Sequence, residues 1–316
     1  MRVLVTGADG FVGGWLVRDL LGAGHQVVGA VRLGGGPAPL LSERERVRVR
    51  WIDFDLLAPA SVTALGGIAV DAVVHLAAVA SGTDARQDPG HAWTVNAAGT
   101  ARLCEELGQT REAEGAKPTV ILASTGEVYG EGLGRPSLEN DPVRPRSPYA
   151  ASKHGAEIAA LEVADRTGLK VIVARAFPHT GPGQSDKYVV PVLAQRLRTA
   201  KRIGAPVIKT GNLTPIRDLL DVRDVARAYR LLAERGRPGE TYNIARGVGV
   251  PLSDVVDRLA ALLDHRVIVE PDPNLLRSND LQYLVGDPTR IRGDMGWDPT
   301  IALDQTLKDV LDAQAN

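Results

Sequence analysis

Tyr149 and Lys153 lie four residues apart in Ser147-Pro148-Tyr149-Ala150-Ala151-Ser152-Lys153, a spacing that puts a phenol and an ammonium on one face of a helix. Ser147 is a good N-cap and Pro148 suits the first helical position, so the spacing predicts a helix that opens here. A tyrosine beside a cation can exchange a proton near neutral pH far more readily than its ordinary pKa of about 10 allows. A half-buried Tyr with a solvated Lys would leave the same trace, so the pair gains meaning only from what positions it.

The elements around the pair alternate. Apolar runs Val3–Thr6, Gln26–Val31, Ala72–Leu76, Thr119–Ala123 and Lys170–Ala174, with a weaker one at Arg48–Ile52, are separated by amphipathic stretches. Continuous apolar strands between helices predict an α/β fold, a Rossmann-type doubly wound parallel sheet covered on both faces. After about Arg175 the rhythm gives way to Gly- and Pro-containing loops. The expected division is a dinucleotide-binding domain over 1–175 and, over 176–316, a smaller C-terminal lobe that is mainly substrate-binding, with some segments returning to the first domain.

The first strand runs into Gly7-Ala8-Asp9-Gly10-Phe11-Val12-Gly13, a glycine triplet that follows a strand and opens a helix. Glycines there let backbone amides approach a pyrophosphate at a helix N-terminus. Gly7, Gly10, Phe11, Val12 and Gly13 are therefore expected cofactor contacts. About 20 residues on, where an acidic residue would hold an adenosine ribose hydroxyl, the chain has Ala30-Val31-Arg32. An arginine without a carboxylate favours NADP(H) over NAD(H); a solvated strand-end cation is the alternative for Arg32. Asp55 and Leu56 follow the third strand, where Asp55 could contact the adenine or cap a helix.

Composition narrows the partners. With 37 Lys and Arg against 38 Asp and Glu, the formal charge of −1 suggests neither nucleic acid nor an anionic membrane as a partner. No apolar run approaches the roughly 18 residues of a membrane span, and the N-terminal strand leaves no room for a signal peptide, so a soluble, cytoplasmic protein is expected. The single cysteine, Cys104, reads as a buried thiol in a helix. Leu33–Pro39 reads as a mobile loop, and no His/Cys/Asp spacing suggests a metal site.

With Gly7, Gly10, Gly13, Ser124-Thr125, Tyr149 and Lys153 in this order, the chain resembles the extended short-chain dehydrogenase/reductases, a family of nucleotide-sugar enzymes, essentially end to end. The resemblance implies that Leu76, Ala77 and Ala78 line the cofactor after the fourth strand, that Asn96 is the helix-four asparagine, and that Tyr149 and Lys153 also touch the nicotinamide ribose. It implies that Thr125 bonds the reacting sugar oxygen, Tyr149 exchanges its proton and Lys153 lowers the phenol's pKa. Glu127 would abstract a proton in a dehydratase and has no obligatory task in a reductase. A homodimer formed through a helix bundle is implied as well.

Within that family the second half is most similar to the GDP-4-keto-6-deoxy-mannose reductases, then to the GDP-mannose 4,6-dehydratases. The similarity rests on Phe177-Pro178-His179-Thr180-Gly181-Pro182-Gly183-Gln184, Gly211-Asn212-Leu213-Thr214-Pro215-Ile216-Arg217-Asp218 and Asp272-Pro273-Asn274-Leu275-Leu276-Arg277. It implies a GDP-sugar as substrate, with Arg217 and Arg277 on its pyrophosphate, Asp280 toward the nucleoside, and His179 nearby in a role more structural than catalytic. Three departures stand out: Pro178 where relatives carry Asn, Gly126 where dehydratases of the dTDP-glucose type carry an acid, and Ser278 after Arg277 where Pro is usual. The readings are reduction of a 4-keto-6-deoxy sugar; alternatively a 4,6-dehydratase or epimerase with tightly bound cofactor; and less favoured, a non-catalytic NADP sensor.

Overall fold

In the computed structural model the described residues are 1–34, 40–109, 117–275 and 280–314. The Gly35–Pro39 part of the expected mobile loop and the candidate Arg277 lie outside them. Seven strands form the main sheet: β1 (Arg2–Thr6), β2 (Gln26–Val31), β3 (Val49–Asp53), β4 (Ala72–His75), β5 (Thr119–Thr125), β6 (Lys170–Ala176) and β7 (Thr241–Ile244). Their spatial order is β7-β6-β5-β4-β1-β2-β3, and each neighbouring pair is parallel. The order reverses between β1 and β4, and a doubly wound sheet opens its ligand crevice at such a reversal, beyond the strands' C-terminal ends.

Successive strand residues feed opposite cores, which is why these strands read as unbroken apolar runs. Val3, Val5, Val27, Val74, Ile121 and Ile172 pack on one side with helices α1 (Phe11–Gly22) and α4 (Val222–Arg235). Leu4, Val28, Val73, Val120, Leu122 and Val171 pack on the other, under α2 (Thr100–Gly108) and α3 (Pro148–Thr167). Cys104 lies buried in α2, and burial pushes its thiol up to about 12.

A third core joins the helices Val189–Ile203, Leu252–Leu262 and Leu303–Ala313. Beside it, Ile216–Arg217 pairs with Val250–Pro251 and with Tyr283–Leu284 to make a three-stranded sheet. Among the described residues no helix is long and apolar enough to cross a membrane, and no group of three or more His, Cys, Asp or Glu is arranged to hold a metal.

Candidate active site

At the switch point, Gly7 adopts φ +69°, the left-handed region that favours glycine, and a Cβ there would stand 3.0 Å from the Ala77 nitrogen. A Cβ on Gly13 would be driven into the Gly7 carbonyl oxygen. Gly10 caps α1 with no side-chain bond to the first-turn amides, and no acidic residue sits in that turn. A helix N-terminus with uncapped first-turn amides and no acidic residue in that turn fits a pyrophosphate. The residues present therefore suit the dinucleotide that the motif implies.

Thr6, which the sequence did not single out, pins the opposite wall. Its Oγ1 accepts from the Leu76 and Ala77 amides at 3.2 and 3.1 Å and meets Nδ1 of His75 at 2.8 Å. Thr100 spends its hydroxyl proton on the Asn96 carbonyl at 2.5 Å, so its oxygen accepts from His75 Nε2 at 3.1 Å. Burial, aided by the charge of Lys153, holds His75 down to about 3, which keeps this imidazole neutral and structural.

Asn96 sits in a one-turn π-helix, Thr94–Gly99, a wide turn that recurs at functional sites. Its Oδ1 accepts from the Val79 amide at 2.8 Å, and its Nδ2 donates to the Val79 carbonyl and to Ser152 Oγ. The side chain is thus spent on clamping the β4 exit to α3. Asp55 is exposed and its carboxylate accepts from the Leu57 amide at 2.9 Å, an Asx turn ahead of the next helix, while Leu56 is buried against Gly99. Arg32 is exposed at the end of β2.

The catalytic candidates converge from two elements. Ser147 caps α3 by accepting from the Ala150 amide, with Pro148 in the first turn, so Tyr149 and Lys153 leave the helix where it meets the end of β5. Thr125, 7% exposed, caps a short 3-10 turn through the Glu127 amide and hydrogen-bonds Tyr149. Burial pushes the Tyr149 phenol well above its ordinary range; Glu127, Tyr188 and Tyr229 push the same way, and the Thr125 bond opposes them. The net shift is upward, opposite in sign to the lowering expected from Lys153, because desolvation by burial is the largest influence on this phenol. Lys153 itself is brought down to about 8 by burial, with Glu157 pulling upward.

Other candidates gather at the second lobe's edge. Leu220 pairs with His179 and Asp221 with Thr180, while Tyr283 and Leu284 pair with Ile216 and Arg217, so the 216–221 segment runs from the strand after Asp280 to the His179 strand. His179 Nδ1 bonds the Phe177 carbonyl at 2.9 Å, and its ring lies parallel to that of Phe11, centroids 6.4 Å apart. Asp218, fully buried beside Arg217, accepts from the amides of Arg246, Gly247 and Gly286, and burial lifts it to about 6. No local pattern in the sequence marks Asp218 as this anchor, since its donors lie 28 and 68 residues away.

The fold and site together define a dinucleotide-binding α/β protein with a Thr/Tyr/Lys constellation at its switch point. Residues 3–245 match the NAD dependent epimerase/dehydratase family, and the chain belongs to that family of nucleotide-sugar enzymes. It is 33% identical to the GDP-6-deoxy-D-mannose reductase of Pseudomonas aeruginosa, over 98% of this chain and 96% of that one. The solved structure of RMD from Pseudomonas aeruginosa complexed with NADPH superposes with a TM-score of 0.82 at 32% identity, covering 99% and 98% of the chains. The UDP-glucose 4-epimerase of Thermus thermophilus in complex with NAD gives 0.86 at 30%, covering 100% and 99%. One fold thus serves reduction and epimerisation in these relatives, and the particular reaction has to be argued from this chain's own side chains.

Proposed function

We propose that this protein reduces the C4 ketone of a nucleotide-diphosphate 4-keto-6-deoxy sugar, a GDP-sugar by its subgroup resemblance, with NADPH. The observation that carries the choice of reaction is the packing of Phe177. A Cβ on Gly126 would stand 2.8 Å from the Phe177 ring, and one on Gly286 would collide with the ring's other edge. Phe177 also stacks on Tyr129, centroids 6.2 Å apart. The place where a dTDP-glucose-type dehydratase would carry its acid is filled by an aromatic ring held on several sides.

A phenol held in its protonated form at neutral pH suits a reduction, in which the developing alkoxide takes a proton. Reduced nicotinamide, when bound, supplies the hydride. Thr125 hydrogen-bonds the sugar oxygen and keeps it within reach of Tyr149, and the Lys153 ammonium favours the phenolate left behind. The exposed Arg32 supports NADPH, since a guanidinium matches a 2′-phosphate bidentately. Arg217 is assigned to the substrate's pyrophosphate, with Arg277 and Asp280 toward the nucleotide. The protein is assigned to the cytoplasm, as a homodimer; exposed Ile158 on α3 and Trp93 beside it, 58% and 46% accessible, support helix-to-helix pairing.

Steady NADPH oxidation with GDP-4-keto-6-deoxymannose, and not with its 4-hydroxy counterpart, is the expected result. No oxidation across a panel of GDP-, UDP- and dTDP-4-keto sugars overturns the proposal. Glu127→Gln separates the runner-up, because it abolishes a dehydratase and largely spares a reductase.

A further inference from the structure

Behind the candidate site lies a buried ionic network with no task in the reaction so far. Glu157, 2% exposed, follows Lys153 by one helical turn on α3. Arg175 on β6 donates to both its oxygens, Nε at 3.0 Å and Nη2 at 2.8 Å, His154 Nδ1 lies 3.2 Å away, and Ser124 donates through its hydroxyl. Arg175 continues to the Tyr129 hydroxyl at 3.0 Å and the Glu139 carbonyl at 3.1 Å, and the Tyr129 hydroxyl donates to Asn243 Oδ1 on β7. One carboxylate therefore ties the helix bearing Tyr149 and Lys153 to the strand end bearing Thr125. It is also a negative charge one turn from a buried ammonium.

We propose that Glu157, locked by Arg175, is a positioning residue that fixes the Ser124–Thr125 strand end against α3 and keeps the Lys153 ammonium charged at neutral pH. The proposal rests on Lys153 belonging to the site assigned above. Burying an isolated ammonium drives it toward the neutral form unless a carboxylate stands close. Among the described buried ionisable groups around Lys153, none besides Glu157 supplies that charge. His75 on β4 is neutral, Cys104 on α2 is a protonated thiol, Tyr149 is a protonated phenol, and Glu127 lies on the Tyr149 side. His154 and Arg175 bring none, since both lean on Glu157 itself. Glu157 is held ionised, at about 2: burial works against this, and the bonds from His154, Arg175 and Ser124 overcome it.

Two readouts test the role. The pH dependence of competitive labelling of Lys153 by an amine reagent, followed by peptide mass, reports its protonation whether or not a sugar substrate has been found. The pH profile of kcat/KM for NADPH-dependent turnover reports its effect. In Glu157→Gln, Lys153 is expected to titrate about one pH unit lower, and the alkaline limb of kcat/KM to move with it, chiefly through kcat. Glu157→Asp, which retains the charge, restores the limb. Because Glu157→Gln strands the Arg175 charge, Glu157→Gln/Arg175→Gln keeps the test open if the single variant does not fold. Unchanged Lys153 titration in a folded variant lacking Glu157 overturns the proposal. A shifted titration without turnover on any 4-keto sugar leaves it standing and removes the reductase assignment instead.

Discussion

At the candidate cofactor end of the cleft, the glycine turn itself is set by main chain: Gly7 and Gly13 let backbone atoms approach because side chains are missing, and Thr6 pins the facing Ala77 amide. At the catalytic end, position is set by side chains. Thr125 meets Tyr149, and Ser124, His154 and Arg175 close on Glu157. A backbone cradle tolerates no added atom and carries no proton, whereas the side-chain cluster can titrate and can be altered one atom at a time. The difference predicts that variants at the two ends fail in different observables.

Tyr149→Phe should have the largest effect: loss of its proton lowers turnover about 10²–10⁴-fold, with cofactor affinity, read by fluorescence titration, little changed. If affinity falls as far as turnover, the two ends are not separable in this way. Gly13→Ala should do the reverse. The added methyl meets the Gly7 carbonyl, so cofactor binding fails and the fold loses about 1–3 kcal/mol, measured by chemical denaturation with and without NADPH. Arg32→Ala should cost about 10–100-fold in NADPH affinity, as a charge-assisted bond of about 1.5–3 kcal/mol implies, while NADH affinity holds. Equal losses for both cofactors would return Arg32 to a solvated strand end. The smallest effect is the pH limb. Lys153 is charged below its pKa of about 8 and neutral above it, so activity should fall as pH rises, with about half lost near pH 8; a flat profile through pH 9 would detach Lys153 from the rate.

How much was legible follows the same divide. The Gly7–Gly13 turn, the strand runs and the α3 cap at Ser147–Pro148 could be read because each is a local pattern of backbone requirements. The fifth strand extends past Ala123 to Thr125, since two hydroxyl residues carry no apolar signal although both are buried. Thr241–Ile244 is not legible as a strand because four residues are too few for its Thr-Tyr-Asn-Ile alternation to stand out, yet it closes the sheet beside β6. Lys153 and Tyr149 were found by spacing, but the sign of the phenol's shift was not, because desolvation depends on what covers the group.

By itself, the sequence determined a parallel α/β sheet with a dinucleotide turn at its first strand and a Tyr/Lys pair on a capped helix. Each of these follows from residue types within a few positions of one another. Only the tertiary structure decided that Thr6 pins the Leu76–Ala77 wall, that Phe177 fills the space beside Gly126, and that Arg175 locks Glu157 behind Lys153. Those are contacts between residues 18 to 71 positions apart. They exist because strands distant in the chain are brought side by side, and burial there sets both the charge and the packing on which the chemistry depends.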